Sequence, residues 1–138
     1  MAGYSGTPLA NKLGLKAPLT LVTLAAPREY ATWLGELPEG VRLASEVGRT
    51  VQAAHVFMTK SAEMGKHLVA LRKALEPAGF VWVSWPKKAS KVATDITEQT
   101  IRDVALPMGF VDIKVCAVSE IWSGLKLVIR KSERPRAT

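Results

Sequence analysis

The chain has 138 residues, 48% hydrophobic and 22% charged, which is enough apolar content for one compact domain and too much for a disordered chain. Its 19 basic and 12 acidic side chains leave a formal net charge of +7, scattered over helix surfaces such as KHLVALRKALE and the C-terminal RKSERPRAT. No dense basic stripe with interleaved aromatics occurs, so nucleic-acid binding is the lesser alternative. A lone Cys116 excludes an intramolecular disulfide and leaves too few thiols for a structural zinc site. The longest apolar run, PLTLVTLAAP, is too short to cross a bilayer, and MAGYSGTPLANK lacks the basic start and apolar stretch of a signal peptide. The expectation is a soluble, cytoplasmic protein.

In chain order, TPLANKLG (7–14) predicts a short helix, with Thr7 as N-cap, Pro8 in the first turn and Gly14 at the stop. LTLVTL (19–24) is apolar with little alternation, the pattern of a parallel strand covered on both faces. PREYATWLGEL (27–37) predicts a helix with Tyr30, Trp33, Leu34 and Leu37 on one side. VRLAS (41–45) and AAHVFMT (53–59) read as strands separated by only about seven residues, where a parallel crossover normally needs a dozen or more. Either the link runs extended beneath the first strand with its helix deleted, or the two strands form a hairpin. The first is favoured because both strands read as buried.

SAEMGKHLVALRKALEPAG (61–79) predicts a helix capped by Ser61 and carrying Met64, Leu68, Leu71 and Leu75 at helical spacing. FVWVSW follows as a strand, and DITEQTIRDVAL as a helix with Asp95 as N-cap and Glu98 completing a capping box. FVDIKVCAVSE and GLKLVIRK are so closely connected that they must pair as an antiparallel hairpin. The sum is an α/β domain over residues 1–131: an open, mostly parallel six-stranded sheet with helices on both faces and an antiparallel C-terminal edge hairpin. Residues 132–138 read as a flexible basic tail.

In such sheets ligands bind outside the carboxyl ends of the strands, where strand order reverses. That edge would gather AAPRE, TKS, SWPKKAS and SEIWSG. Adjacent ammonium groups on Lys87 and Lys88 repel, and an anion would relieve them. Trp85 and Trp122 could supply stacking faces, Ser84 or Ser123 a hydroxyl, and Glu120 an acid or base beside Trp122. The competing reading makes Lys87, Lys88 and Lys91 a solvated loop, with both tryptophans covering the sheet end. Tyr4, in the Gly-flanked lead, could fold over the same edge.

No serine elbow, metal motif or paired catalytic constellation is present. His55, inside an apolar strand, reads as a hydrogen-bonded core residue, and His67 as a helix-surface residue. The glycine-rich turn expected after the first strand of a nucleotide-binding sheet is replaced by LAAPREY. Ala25 and Ala26 are small enough for close backbone approach, but Pro27 removes an N–H, and Glu46 after the second strand could meet ribose hydroxyls.

Two resemblances follow. The helix ending in LRKALEPAGFVWV and the terminal hairpin resemble a trimmed class I methyltransferase domain, in which L..L.PGG leads into the corresponding strand. The glycine motif of that family and a helix–strand unit before the third strand are absent here. GYSGTPLANKLGLK, WVSWPKK, TDITE, VALPMGFVDIKVCAV and WSGLKLVIRK resemble a bacterial family of small proteins that is a domain of unknown function. That resemblance covers nearly the whole chain and implies one domain, with no activity, cofactor or partner attached.

The function expected is a noncatalytic or regulatory domain binding a small anionic or nucleotide-like ligand through Ser84, Trp85, Lys87, Lys88, Glu120, Trp122, Ser123, Ala25 and Ala26. The alternatives are a protein or RNA interaction module using the basic surface, and a small S-adenosylmethionine-dependent transferase with a degenerate cofactor motif. No membrane partner is expected, and the cofactor and self-association are left open.

Overall fold

The computed structural model describes residues 8–134, so the expected Thr7 cap and Tyr4 cover lie outside the described residues. Helix α1 spans Leu9–Leu13 and is stopped by Gly14, whose φ of 76° suits a residue without Cβ. Strand β1 (Leu19–Leu24) leads to α2 (Tyr30–Leu34), which is half the length that the periodicity predicts. Gly35, at φ 67° and ψ −150°, ends α2 before Leu37 can join it. Tyr30 and Leu34 are nevertheless buried as expected.

Strands β2 (Val41–Ala44) and β3 (Val51–Phe57) both pair parallel with β1, on opposite sides. The crossover is therefore real, and its six residues, 45–50, pass over β1 without a helix. Val47 packs on the same core cluster as Val22 and Val51, which fixes the face that the link crosses. The expectation that β2 is buried is corrected. It is the sheet edge, with Arg42 and Leu43 exposed, because no further strand follows on that side.

Helix α3 (Met64–Ala74) buries Met64, Leu68 and Leu71. It opens with a short 3-10 turn at Ser61–Glu63, and Ser61 makes no cap. Strand β4 (Leu75–Pro86) follows directly, then α4 (Glu98–Ala105), β5 (Phe110–Ala117) and β6 (Trp122–Ile129). The strand order is β2-β1-β3-β4-β6-β5. The first four strands are mutually parallel, and β6 runs antiparallel to both β4 and β5. This is the mostly parallel sheet with a C-terminal antiparallel pair that the sequence predicts.

Two hydrophobic clusters sandwich the sheet. One, under α3 and α4, holds Val56, Val83, Trp85, Ile101, Phe110 and Leu125. The other, under α1 and α2, holds Leu13, Leu21, Tyr30, Phe57 and Trp82. Alternation along β4 sends Trp82 and Val83 to opposite faces. Trp82 is fully buried, and its Nε1–H donates to the Leu13 carbonyl at 2.9 Å, tying α1 to the sheet. The expected tail is anchored at its start: Lys131–Glu133 form a 3-10 turn, and Arg134 donates from Nε to the Ile129 carbonyl at 2.8 Å. Among the described residues no helix is long and apolar enough to cross a membrane.

Candidate functional site at the carboxyl edge

Strand order reverses between β1 and β3, so the crevice of an open α/β sheet falls outside their carboxyl ends. Ala25, the first residue past β1, is exposed and has φ 57°, a left-handed conformation uncommon outside glycine. The backbone thus makes at Ala25 the tight turn for which the sequence lacks glycine. Ala26 is half-buried and packs on the α1/α2 cluster. Ala44 pairs with Val22, so exposed Glu46, two residues further on, comes level with the end of β1. Helix α2 starts only at Tyr30 and has five residues, so it presents no helix terminus to the crevice comparable to that of a phosphate site.

The next strand end is built differently. Eleven residues, 87–97, join β4 to α4, where about 2–6 is usual for such a loop. The loop is braced throughout. The Lys87 N–H donates to the Ile121 carbonyl at 2.7 Å, and the Ser90 hydroxyl donates back to the Lys87 carbonyl at 2.7 Å. Thr94 Oγ1 donates to the Thr59 carbonyl at 2.7 Å. Asp95 accepts from the Ser61 N–H at 2.7 Å and from its hydroxyl at 2.6 Å, and these bonds hold its carboxyl below the ordinary carboxylate range. Asp95 is therefore not the cap of α4. Thr97 is, accepting from the Thr100 N–H at 3.2 Å, while Thr100 Oγ1 accepts in return from the Thr97 N–H.

Between this loop and α4 lies a groove of about 760 Å³, with Trp85 and Ile96 inside and Lys88, Lys91 and Arg102 among its cations. Arg102 is committed, donating to Glu98 at 2.9 Å and to Asp112 at 3.1 Å, and those two carboxylates raise its pKa.

The single site expected from sequence is divided by the sheet. Trp85 belongs to the α3/α4 cluster and Trp122 packs on the α1/α2 cluster, so they do not form one stacking cleft. Trp122 instead meets Phe57 edge-on, with centroids 5.1 Å apart. Ser84 is fully buried, with its hydroxyl 2.6 Å from His55 Nε2. Lys87 does not line the groove, whereas Lys88 does. Ser123 is half-buried and pairs across the strands with Trp85, while Glu120 is exposed at the β5–β6 connection. Lys91, Thr94, Thr97 and Gln99 also line the groove, beyond the ligand residues expected from sequence. The length of the β4–α4 connection was the available signal.

His55 behaves as the sequence predicts. Its Nδ1 lies 2.8 Å from the Tyr30 hydroxyl and its Nε2 2.6 Å from Ser84, so either neutral tautomer donates once and accepts once. Burial lowers its pKa to about 3. Burial, and secondarily Cys116, push the Tyr30 hydroxyl above its ordinary range.

No protein-family model and no curated protein sequence matches the chain. Solved structures do match its fold. An S-adenosylmethionine-dependent methyltransferase from Aquifex aeolicus is 14% identical over 88% of this chain and 87% of its own, with a TM-score of 0.62. A Burkholderia thailandensis 1,6-didemethyltoxoflavin-N1-methyltransferase, solved with bound 1,6-didemethyltoxoflavin and S-adenosylhomocysteine, is 15% identical over 89% of this chain and 75% of its own, with a TM-score of 0.59. Ribosomal protein L11 methylase from Lactobacillus delbrueckii subsp. bulgaricus is 12% identical over 88% and 75%, with a TM-score of 0.54. The fold is thus the Rossmann-like fold of these methyltransferases, as the helix–strand and hairpin segments suggested.

Proposed function

We propose that this chain is a ligand-binding domain of methyltransferase fold that takes a nucleotide-like ligand, S-adenosyl compounds first, in the crevice between β1 and β3. The observation that carries the reading is the exposed left-handed turn at Ala25, placed at the switch point of the sheet. Ala25 and Ala26 would let the backbone approach the ligand, and Glu46 would accept from ribose hydroxyls. The methyltransferases of similar fold support the ligand class.

The reading stops at binding because the one acid expected to act as base is badly placed. Strand β6 lies two strand spacings, about 10 Å, from β3, the nearer wall of the crevice, and Glu120 precedes it. Methyl transfer is the second reading, favoured by the enzymes that share the fold, and labelled methyl transfer by the purified protein tests it directly.

Binding is checked by thermal denaturation with S-adenosylhomocysteine and S-adenosylmethionine. At 100 times the dissociation constant a ligand stabilises by about 2.7 kcal/mol, a rise of several degrees in Tm. Ala25→Leu should abolish the rise by filling the turn, and Glu46→Gln should weaken binding about tenfold, the loss of roughly one good hydrogen bond. Absence of any rise at millimolar ligand overturns the proposal.

A further inference from the structure

The groove under the β4–α4 loop lies on the α3/α4 face and shares none of its lining with the β1–α2 turn. Its size, about 760 Å³, falls in the range of small-molecule sites, roughly 300–1,000 Å³. Inside it are Trp85 and Ile96, 7% and 2% exposed, and Val92 and Ala93 extend the apolar lining outward. A flat apolar body would cover this surface.

The charges are unbalanced in a definite way. Glu98 and Arg102 both line the groove but neutralise each other, and Asp112 accepts from Nε of the same guanidinium. Lys88 and Lys91 make no ion pair among the described residues, so the groove offers a ligand two ammonium groups and no uncommitted acid. Lys91 is also held at φ 61°, a conformation that favours glycine, at the end of the 3-10 turn that places both lysines. The bracing by Thr59, Ser61 and Ile121 fixes this wall before any ligand arrives, which lowers the ordering cost of binding.

We propose that this groove is a second site, independent of the β1–β3 crevice, for a small organic anion with a flat apolar body, of the size and chemistry of an aromatic carboxylate or sulfonate. Naphthalene-2-sulfonate is the probe, followed by amide chemical shifts of the uniformly labelled protein. Its saturable shifts should centre on residues 85–102, and it should bind at least tenfold tighter than 2-naphthalenemethanol or inorganic sulfate. Lys88→Ala with Lys91→Ala should weaken it at least tenfold, more so at low salt. Ala93→Trp, at an exposed position, should block it while leaving shifts outside the groove unchanged. Shifts centred elsewhere, equal affinity for the neutral alcohol, an unaffected double variant, or no saturation at millimolar probe each overturn the proposal. S-adenosylhomocysteine should perturb the amides around Ala25 and Glu46 in the same double variant, so the two sites stand or fall separately.

Discussion

His55 sits at zero exposure between a tyrosine and a serine hydroxyl, and its ring stacks on Phe57 at a centroid distance of 4.2 Å. Such a histidine couples folding to pH. Its folded pKa of about 3 lies below the ordinary 6.5, so the unfolded chain binds a proton that the folded one refuses. Its contribution is complete above pH 6.5 and is lost as pH falls from there toward 3, at about 1.4 kcal/mol per pH unit. Urea denaturation between pH 7 and 4 should show wild type losing stability more steeply than His55→Gln. Parallel curves would mean that the imidazole is not buried in its neutral form. Asp95 acts in the same direction, since its depressed pKa also makes stability fall with acid, but it is retained in both proteins. Asp95→Ala should lower Tm and speed hydrogen exchange over residues 87–96, because that carboxylate ties the loop to Ser61.

At the level of elements, β4 and β6 meet so closely that a side chain at Gly124 would be crowded. A Cβ on Gly124 would stand 3.1 Å from Trp82 Cε3, 3.2 Å from Ser84 Oγ and 3.2 Å from Val118 Cγ2. Two of these cannot retreat easily, since Trp82 is bonded to Leu13 and Ser84 to His55. Gly124→Ala should destabilise by about 1–3 kcal/mol through overpacking, measured by denaturant titration. A neutral outcome would show that β6 shifts to accommodate it. The same closeness explains why Trp122 and the Lys87 N–H stand together at the sheet end, with Pro86 opposite Trp122 in register. The β5–β6 connection is closed by Ser119, whose hydroxyl accepts from the Ile121 and Trp122 N–H groups at 3.1 Å.

At the scale of the molecule, the net charge of +7 is set against three ion pairs among the described residues. The ion pairs among the described residues are Arg72–Glu133 at 4.0 Å, Arg102–Glu98 at 2.9 Å and Arg102–Asp112 at 3.1 Å, all partly exposed. Each is worth about 0–1 kcal/mol. Against them Lys114 stands directly opposite Lys126 across β5 and β6. Burial, and then Lys114, lower the Lys126 pKa, although its ammonium rests 4.3 Å from the Phe80 ring centre. Screening should therefore relieve more repulsion than it removes attraction. Thermal midpoints at 0.05 and 0.5 M sodium chloride should be equal or slightly higher in salt, and a clear fall would show that the ion pairs matter more than their exposure suggests.

The sequence by itself determined the apolar strands, the turns between them and the burial of His55, because periodicity and turn chemistry are local properties of the chain. It also determined the fold class, since strand and helix alternate before the final hairpin everywhere but between β2 and β3. Tertiary structure decided the rest. Asp95 left its own helix for Ser61 because a contact 34 residues away in the chain satisfied it better than the local cap. Trp85 and Trp122 parted to opposite faces because the pairing of Pro86 with Trp122 sets which side each residue of β6 occupies, and that register is made between strands and written in neither alone.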